Sequence, residues 1–593
     1  LLWRRLLGLA MSKPRLLPLA SLVLLVVGVA QAAGRWWTCD DAYIHFRYSD
    51  NFARGLGLVY NAGERVEGYL TFLWNVVLGI GIWLGGDPLV VANLLGLLAF
   101  GGTLALLLRV SLALPVGGLV LPVAALGFAL HRHAQTFATS GMETSMHTLL
   151  VTWLVLRLAN AQRTRDYFVA GLIGVIDTLT RLDGALFCAG GFVVVVWSAL
   201  RQRRFGPVLA YCLPTLLLYV PYFCWRWHYY GHLLPNLYYA KSAGRAYPSQ
   251  GWVYLRLFFE CYWALLPGLV ALPLLFLARF DRAIQVPGWT GLRGPATVCC
   301  VVMPQLAYVV WVGGDFMFAR FLIPVTPAIL IGLQMLLPAL RSRTVAVLVS
   351  AAVLVGIAWP NYPTELESKH GHRGIVEEPY FYKRGDYDHA RYMGVIGRAL
   401  AHHTRDTETR VMIGAGQAAL GYFGRFAVVI EKNGLTDEYI AHLPLTQRGR
   451  VAHERASIVP HEYFSHRRKV HFYFDTDYGA FQDQPGPIGN ARQVAFELTG
   501  LTAKEQKKVE GTPAAWIKGY LVTYQSELMD VLRTRPGIRF TPFPELLDAY
   551  LDRVAKGEVP REQVARDYPH FAAFYFDHNH DAARQARFQA LLR

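Results

Sequence analysis

Two adjacent carboxylates, Asp40 and Asp41, open the stretch CDDAYIHFRYSDNFARGLGLVYNAGERVEGYLTFLW, which runs from Cys39 to Trp74 directly after an apolar segment. Paired acids in such a place suit either removal of a proton from a hydroxyl or coordination of a metal beside a phosphate. The plainer role is to cap or solvate a helix start, where Asp is common. Asp41 is the preferred base and Asp40 the metal ligand or orienting group, although the two could be exchanged. The same stretch carries His45, Arg47, Glu64, Arg65 and Glu67, and later boundaries of apolar runs carry Glu143, Arg181, Asp183, Lys241, Asp315 and Arg320. Arg47, Arg65, Lys241 and Arg320 suit either snorkelling to lipid headgroups or holding a phosphate and stabilising its charge as a bond to it breaks. Glu64 and Glu67 could be ligands or partners of Arg65. Asp177 lies inside an apolar run with Arg181 four residues on, a spacing that favours a structural pair.

The elements that must position these groups are membrane helices. Of 593 residues, 53% are hydrophobic and only 17% charged, outside the range of soluble enzymes of this size. Apolar runs continue up to Trp359 and then stop, so two parts are expected: a membrane domain over 1–359 and a polar C-terminal part over 360–593. The formal net charge of +16 sits largely in short clusters between apolar runs, such as Arg201, Arg203 and Arg204, which is the positive-inside pattern and not a nucleic-acid footprint. Seven cysteines lie in or beside apolar runs, and neither a disulfide framework nor a cysteine metal site is encoded.

Charge also chooses the topology. If Tyr69 to Leu84 crossed the bilayer, the basic clusters 157–165 and 201–204 would fall outside. A juxtamembrane helix over 69–84, within a first outer loop 34–88, puts every later cluster inside. The expected spans are Leu16 to Ala33, Leu89 to Leu108, Leu114 to Leu130, Ser145 to Leu158, Tyr167 to Thr180, Ala185 to Leu200, Pro207 to Phe223, Tyr254 to Leu277, Ala296 to Val312, Phe321 to Leu340 and Thr344 to Trp359. That makes about eleven helices, an odd number, with the C-terminal part extracytoplasmic. The first span is read as an uncleaved helix, not a signal peptide.

The pattern DDAYIHFRY followed by GLGLVYNAGERVEGYLTFLW resembles the GT-C membrane glycosyltransferases, and within them the branch that includes the AftB-type arabinofuranosyltransferases. TSGMET at Thr139 to Thr144, TRLDG at Thr180 to Gly184, PNLYYAK at Pro235 to Lys241, GGDFMFARFLIP at Gly313 to Pro324 and NGLTDEYIAHLP at Asn433 to Pro444 look similar to the same branch. Glu431, where Asp is expected, and Asp177 depart from it. The resemblance implies a polytopic α-helical GT-C fold in a bacterial inner (cytoplasmic) membrane. It also implies a polyprenyl-phosphate sugar donor and a hydroxyl of an extracytoplasmic glycan or glycoprotein as acceptor. Asp41 and Asp40 would be catalytic, with His45, Arg47, Arg65, Glu67, Arg181, Asp183, Lys241, Asp315 and Arg320 around substrate or donor phosphate. A divalent cation, Mg or Mn, could assist at Asp40; membrane lipids are partners, and neither nucleic acid nor a nucleotide cofactor is expected. The rival reading is a lipid or solute transporter, which should show polar or broken helices at the midplane.

Within the C-terminal part, VMIGAGQAALGYFGRFAVVIE reads as strand, helix, strand and suggests a soluble α/β domain. Its glycines Gly414, Gly416 and Gly421 lack the dinucleotide spacing. His370 and His372 in KHGHRG, and FDTDYG at Phe474 to Gly479, are read as ordinary polar sequence and not as metal sites.

Overall fold

The computed structural model describes residues 16–277 apart from 117, 293–368 apart from 341, most of 371–474 and most of 544–592. His370 and residues 475–479 of the FDTDYG stretch lie outside the described residues.

The chain is largely helical. Pro88–Ala113 is the longest helix, begun by Asp87, whose carboxylate accepts from the backbone N–H groups of Leu89 at 2.9 Å and Val90 at 3.2 Å, with Pro88 in the first turn where its missing N–H costs nothing. With 26 residues it runs ~39 Å, enough to cross a bilayer. Gly184–Gln202 and Gly206–Tyr230 are also long and apolar enough, and Pro248–Cys261 with Trp263–Ala271 forms a pair bent by 89°. Leu19–Ala33, Phe72–Trp83, Thr144–Ala159, Thr297–Val312, Ile323–Ala339 and Arg343–Ala358 are apolar but shorter.

Several expected boundaries change. Of Leu114 to Leu130 only Val123–Leu130 is helical, because Pro115 and Pro122 frame a turn closed by the Val116–Leu119 bridge. Tyr254 to Leu277 is not one straight span but breaks at Tyr262. The seventh expected span runs on to Tyr230, through a π turn at Thr215–Tyr219 that follows the internal Pro214. Tyr69 to Leu84 appears as Phe72–Trp83, 12 residues or ~18 Å, which is short for a crossing. Leu98, Leu209, Leu216, Trp83, Trp227 and Trp359 are among the exposed large side chains, as expected of lipid-facing positions and interfacial tryptophans.

Asp40–Ala53 is the helix that matters most for function. Two acids in its first turn favour its N-terminus. It ends where the Arg54 and Gly55 N–H groups bond back to the carbonyls of Asp50 and Phe52, with Gly55 left-handed at φ 77°. It is buried because Phe72–Trp83 packs on one side and Ala418–Phe423 on the other.

Arg410–Ile413, Ala418–Phe423 and Val428–Glu431 form the expected strand, helix and strand, to which Phe472–Phe474 adds a third strand. Arg410–Ile413 is the centre of a three-stranded parallel sheet, between Val428–Glu431 and Phe472–Phe474, with Arg410 opposite Val428 and Val411 opposite Phe472. This unit shares one continuous core with the helices before it, Val411, Ile413, Leu420 and Val429 joining Trp37, Tyr43 and Phe46. Polar clamps add to the packing. Asn61 in the first loop donates to Val429 O and accepts from Val429 N, imitating a neighbouring strand. Asn236 Nδ2 donates to the carbonyls of Gly434 and Leu435, each at 2.9 Å, which ties PNLYYAK to NGLTDEYIAHLP. Arg455 reaches Ala240 O at 2.6 Å.

Candidate functional site

The structure separates Asp40 from Asp41. Asp40 is buried, and its carboxylate accepts from the backbone N–H groups of Ala418 at 3.0 Å and Ala419 at 3.3 Å, at the start of Ala418–Phe423. Its oxygens therefore serve a helix start of the C-terminal unit. Among the described residues no group of three or more His, Cys, Asp or Glu side chains is arranged to hold a metal ion. With both oxygens engaged by backbone N–H groups, Asp40 thus does not fit a divalent cation. Burial, offset in part by these bonds, pushes the Asp40 carboxyl up to about 7.

That shift has a testable sign. A carboxyl whose folded pKa lies above its ordinary value contributes stability that is full below about pH 4 and is lost as pH rises through about 7. Asn imitates the protonated form. Melting of Asp40→Asn between about pH 5 and 8 should therefore fall less steeply than melting of the wild type. Parallel profiles would show that Asp40 does not titrate in this window.

Asp41, one residue on, faces the other way. Its side chain is 24% exposed, and its Oδ2 stands 4.0 Å from Arg320 Nη1. Arg320 is held at 2.5 Å by Asp315, both nearly fully buried. Burial works against the guanidinium, but Asp315 and Asp41 outweigh it and hold its pKa above the ordinary value. The GGDFMFAR segment reaches this geometry through glycine: Gly314 has φ 71°, and a Cβ there would lie 2.5 Å from the Tyr254 ring.

Arg181 comes to the same place from TRLDG. Its guanidinium lies over the Phe321 ring at 5.0 Å and that of Arg320 over the same ring at 5.6 Å. Arg181 bonds Glu143 of TSGMET at 3.0 Å and Asp183 at 2.7 Å. The expected Asp177–Arg181 pair is not made. Asp177 Oδ1 instead meets His147 Nδ1 at 2.7 Å, and His147 Nε2 points to Asp183 at 3.9 Å. A carboxylate can only accept, so Asp177 fixes the Nδ1–H form of His147. One i,i+4 helical spacing misled because Arg181 is the extended cap residue and turns away from the Asp177 face.

Lys241 completes the set from the end of Asn236–Ala240. Burial and then the neighbouring Arg320 lower its pKa, while Asp41 and Asp315 act in the opposite direction. Among the described residues it has no carboxylate within ion-pair distance, unlike Arg181 and Arg320. Glu378, which sequence reasoning missed, is buried here, its carboxyl pushed well above the usual range by burial and then by Asp41. The Cys39 thiol lies 3.8 Å from it. Nothing in the polar sequence around Glu378 signalled that it returns to the first loop.

Four expected site residues serve other ends. Arg47 is buried and donates to the carbonyls of Tyr60, Gly421 and Phe426 at 2.7, 2.9 and 2.9 Å, so it fastens the C-terminal unit and is committed to backbone rather than phosphate. His45 bonds Asn75 at 3.0 Å and Thr71 at 3.1 Å inside the core. Glu67 is taken by Arg226 at 2.7 Å, a partner the sequence did not suggest. Arg65 lies over the Tyr229 ring at 4.6 Å, and Glu64 pairs not with it but with Arg468 at 2.8 Å.

The arrangement that remains is one partly exposed carboxylate, Asp41, beside the cations Arg320 and Lys241, with Arg181 next to Arg320 on the Phe321 ring. It can take a proton from a hydroxyl and neutralise an anion formed beside it.

No family model matches the chain. It is 31% identical over 331 residues to the terminal beta-(1->2)-arabinofuranosyltransferase of Corynebacterium glutamicum, covering 49% of this chain and 46% of that protein. It is 30% identical over 334 residues to the protein of the same name from Mycobacterium tuberculosis, covering 50% of this chain and 52% of that one. The matched region thus spans about half the length of these relatives. Among solved structures, that of ArnT from Cupriavidus metallidurans bound to undecaprenyl phosphate aligns with a TM-score of 0.43 and 15% identity, covering 78% of this chain and 89% of that one.

Proposed function

We propose that this chain is a polytopic membrane glycosyltransferase of GT-C type. It transfers a sugar, arabinofuranose in particular, from a polyprenyl-phosphate donor to a hydroxyl of an extracytoplasmic glycan, at the outer face of a bacterial inner membrane. The observation that carries the reading is the Asp41 carboxylate, part open to solvent, 4.0 Å from a buried Arg320 and beside a Lys241 with no carboxylate at ion-pair distance among the described residues. The similarity to two arabinofuranosyltransferases supports the choice of sugar.

In this reaction the acceptor oxygen forms a bond to the anomeric carbon while the bond from that carbon to the phosphate oxygen breaks. The acceptor proton passes to Asp41, and the electron pair leaves with the phosphate, giving free polyprenyl phosphate. Lys241 and Arg320 neutralise the charge that develops on the leaving phosphate, in a rim dry enough for that attraction to count. Arg181, held by Glu143 and Asp183 against the shared Phe321 ring, keeps Arg320 in place.

The test is acceptor-dependent release of polyprenyl phosphate by purified protein in nanodiscs. Release that requires a glycan acceptor, and that falls at least tenfold in Lys241→Gln, supports the reading. Movement of the intact donor between leaflets without release would instead mark a transporter.

A further inference from the structure

A second cavity lies away from Asp41, and nothing in the proposed chemistry uses it. It has a volume of about 830 Å³ and opens between Glu64–Val66 of the first loop and two parts of the C-terminal unit, Thr436–Pro444 and Tyr463–Arg468. That volume is within the ~300–1,000 Å³ of small-molecule sites, so it has room for more than one sugar ring.

Its wall holds a stacked ring pair. The Tyr463 ring, buried, lies 4.3 Å from the Tyr439 ring at 18°, and the exposed Arg467 guanidinium stands beside both, 4.7 Å from the Tyr439 centroid and 5.7 Å from that of Tyr463. Polar groups around it come in adjacent pairs: Glu64 with Arg468 at 2.8 Å, and Glu438 with the His232 ring, at the edge of the cavity, at 3.0 Å. Asp437 accepts from the Tyr463 hydroxyl at 2.7 Å. Donors and acceptors thus alternate along the wall. A hydroxyl, which both donates and accepts, matches such a surface, and with three acids (Glu64, Asp437, Glu438) against three arginines (Arg65, Arg467, Arg468) neither sign of charge prevails in the lining. Flat guanidinium and aromatic surfaces suit the C–H faces of sugar rings.

A small recess of about 10 Å³, room for a single water, adjoins it, sharing Arg65, Val66, Glu438 and His442 and adding Tyr239, whose ring lies 4.2 Å from that of His442. Tyr239 is two residues before Lys241, which caps the same short helix.

We infer that the groove between Glu64–Val66 and residues 436–468 binds an uncharged oligosaccharide, holding the acceptor chain beyond the sugar that is glycosylated. The inference rests on the transferase reading for its direction, and the experiment separates the two. Arg467→Ala/His442→Ala replaces two exposed side chains outside the Asp41 rim. In nanodiscs, its KM for an arabinofuranose hexasaccharide should rise about tenfold, with KM for the disaccharide and both kcat values unchanged. Equal changes at both lengths, or none at either, would overturn the groove. Direct binding of the hexasaccharide is measured in parallel without donor, by saturation-transfer NMR on wild type and variant. If the wild type transfers nothing, about tenfold weaker binding in the variant still supports the groove, and equal binding overturns it. Tighter binding of a uronic-acid hexasaccharide than of the neutral one overturns the uncharged class.

Discussion

Asp41→Asn should fold like the wild type and lose transfer by about a hundredfold to ten-thousandfold, the span a positioned general base supplies. Asn keeps the shape of Asp but cannot take the acceptor proton. Asp41 is 24% exposed and its ion-pair contact is the 4.0 Å approach to Arg320, so the substitution removes little from the fold. No neighbour can replace it. Asp40 is spent on two backbone N–H groups, and Glu378 is buried, which raises its pKa. The check is kcat with labelled donor alongside the melting temperature. Near wild-type kcat in a folded Asp41→Asn protein would remove it as the base.

Arg320→Lys should cost about 10²–10³ in kcat, comparable to the loss of one preorganised donor to a developing anion. Arginine can bond Asp315 at 2.5 Å through Nε and still direct its Nη groups to Asp41 and a phosphate; a lysine ammonium is a single point and cannot serve both. Stability should fall modestly, because a positive charge remains beside Asp315. Arg320→Ala leaves Asp315 buried and unpaired, and should cost about 3–5 kcal/mol. Kinetics and melting of the two variants together separate the roles. If Arg320→Lys keeps full kcat, Arg320 serves the fold alone.

Much of this site was legible because its residues lie where apolar runs end. Asp41, Arg181, Asp183, Lys241, Asp315 and Arg320, read from separate motifs, meet in one rim. Arg47, His45 and Glu67 have partners elsewhere for a physical reason. A charged residue beside a membrane boundary looks alike whether it faces a substrate or pins a distant segment, and Arg47 pins carbonyls more than 370 residues away in the chain. Glu378 was invisible on the same ground, since only the folded path returns it to Cys39. Helix ends were less legible than helix identity. Pro115 and Pro122 interrupt an apolar run that hydropathy alone reads as continuous, whereas Pro214 only opens a π turn in a span that runs on to Tyr230. The 411–431 unit was readable from two short apolar runs on either side of a glycine- and alanine-rich stretch, whereas its fusion with the first loop, through Asn61 and Asp40, was not.

The most direct test of the account is a single reaction. Purified wild-type protein in nanodiscs receives polyprenyl-phosphate arabinofuranose labelled in the sugar and an unlabelled oligoarabinofuranoside, and the glycan product is analysed by mass. The account predicts a labelled glycan one pentose longer than the acceptor, formed in step with free polyprenyl phosphate. A glycan of unchanged mass, with the donor intact after prolonged incubation with folded protein, would contradict it.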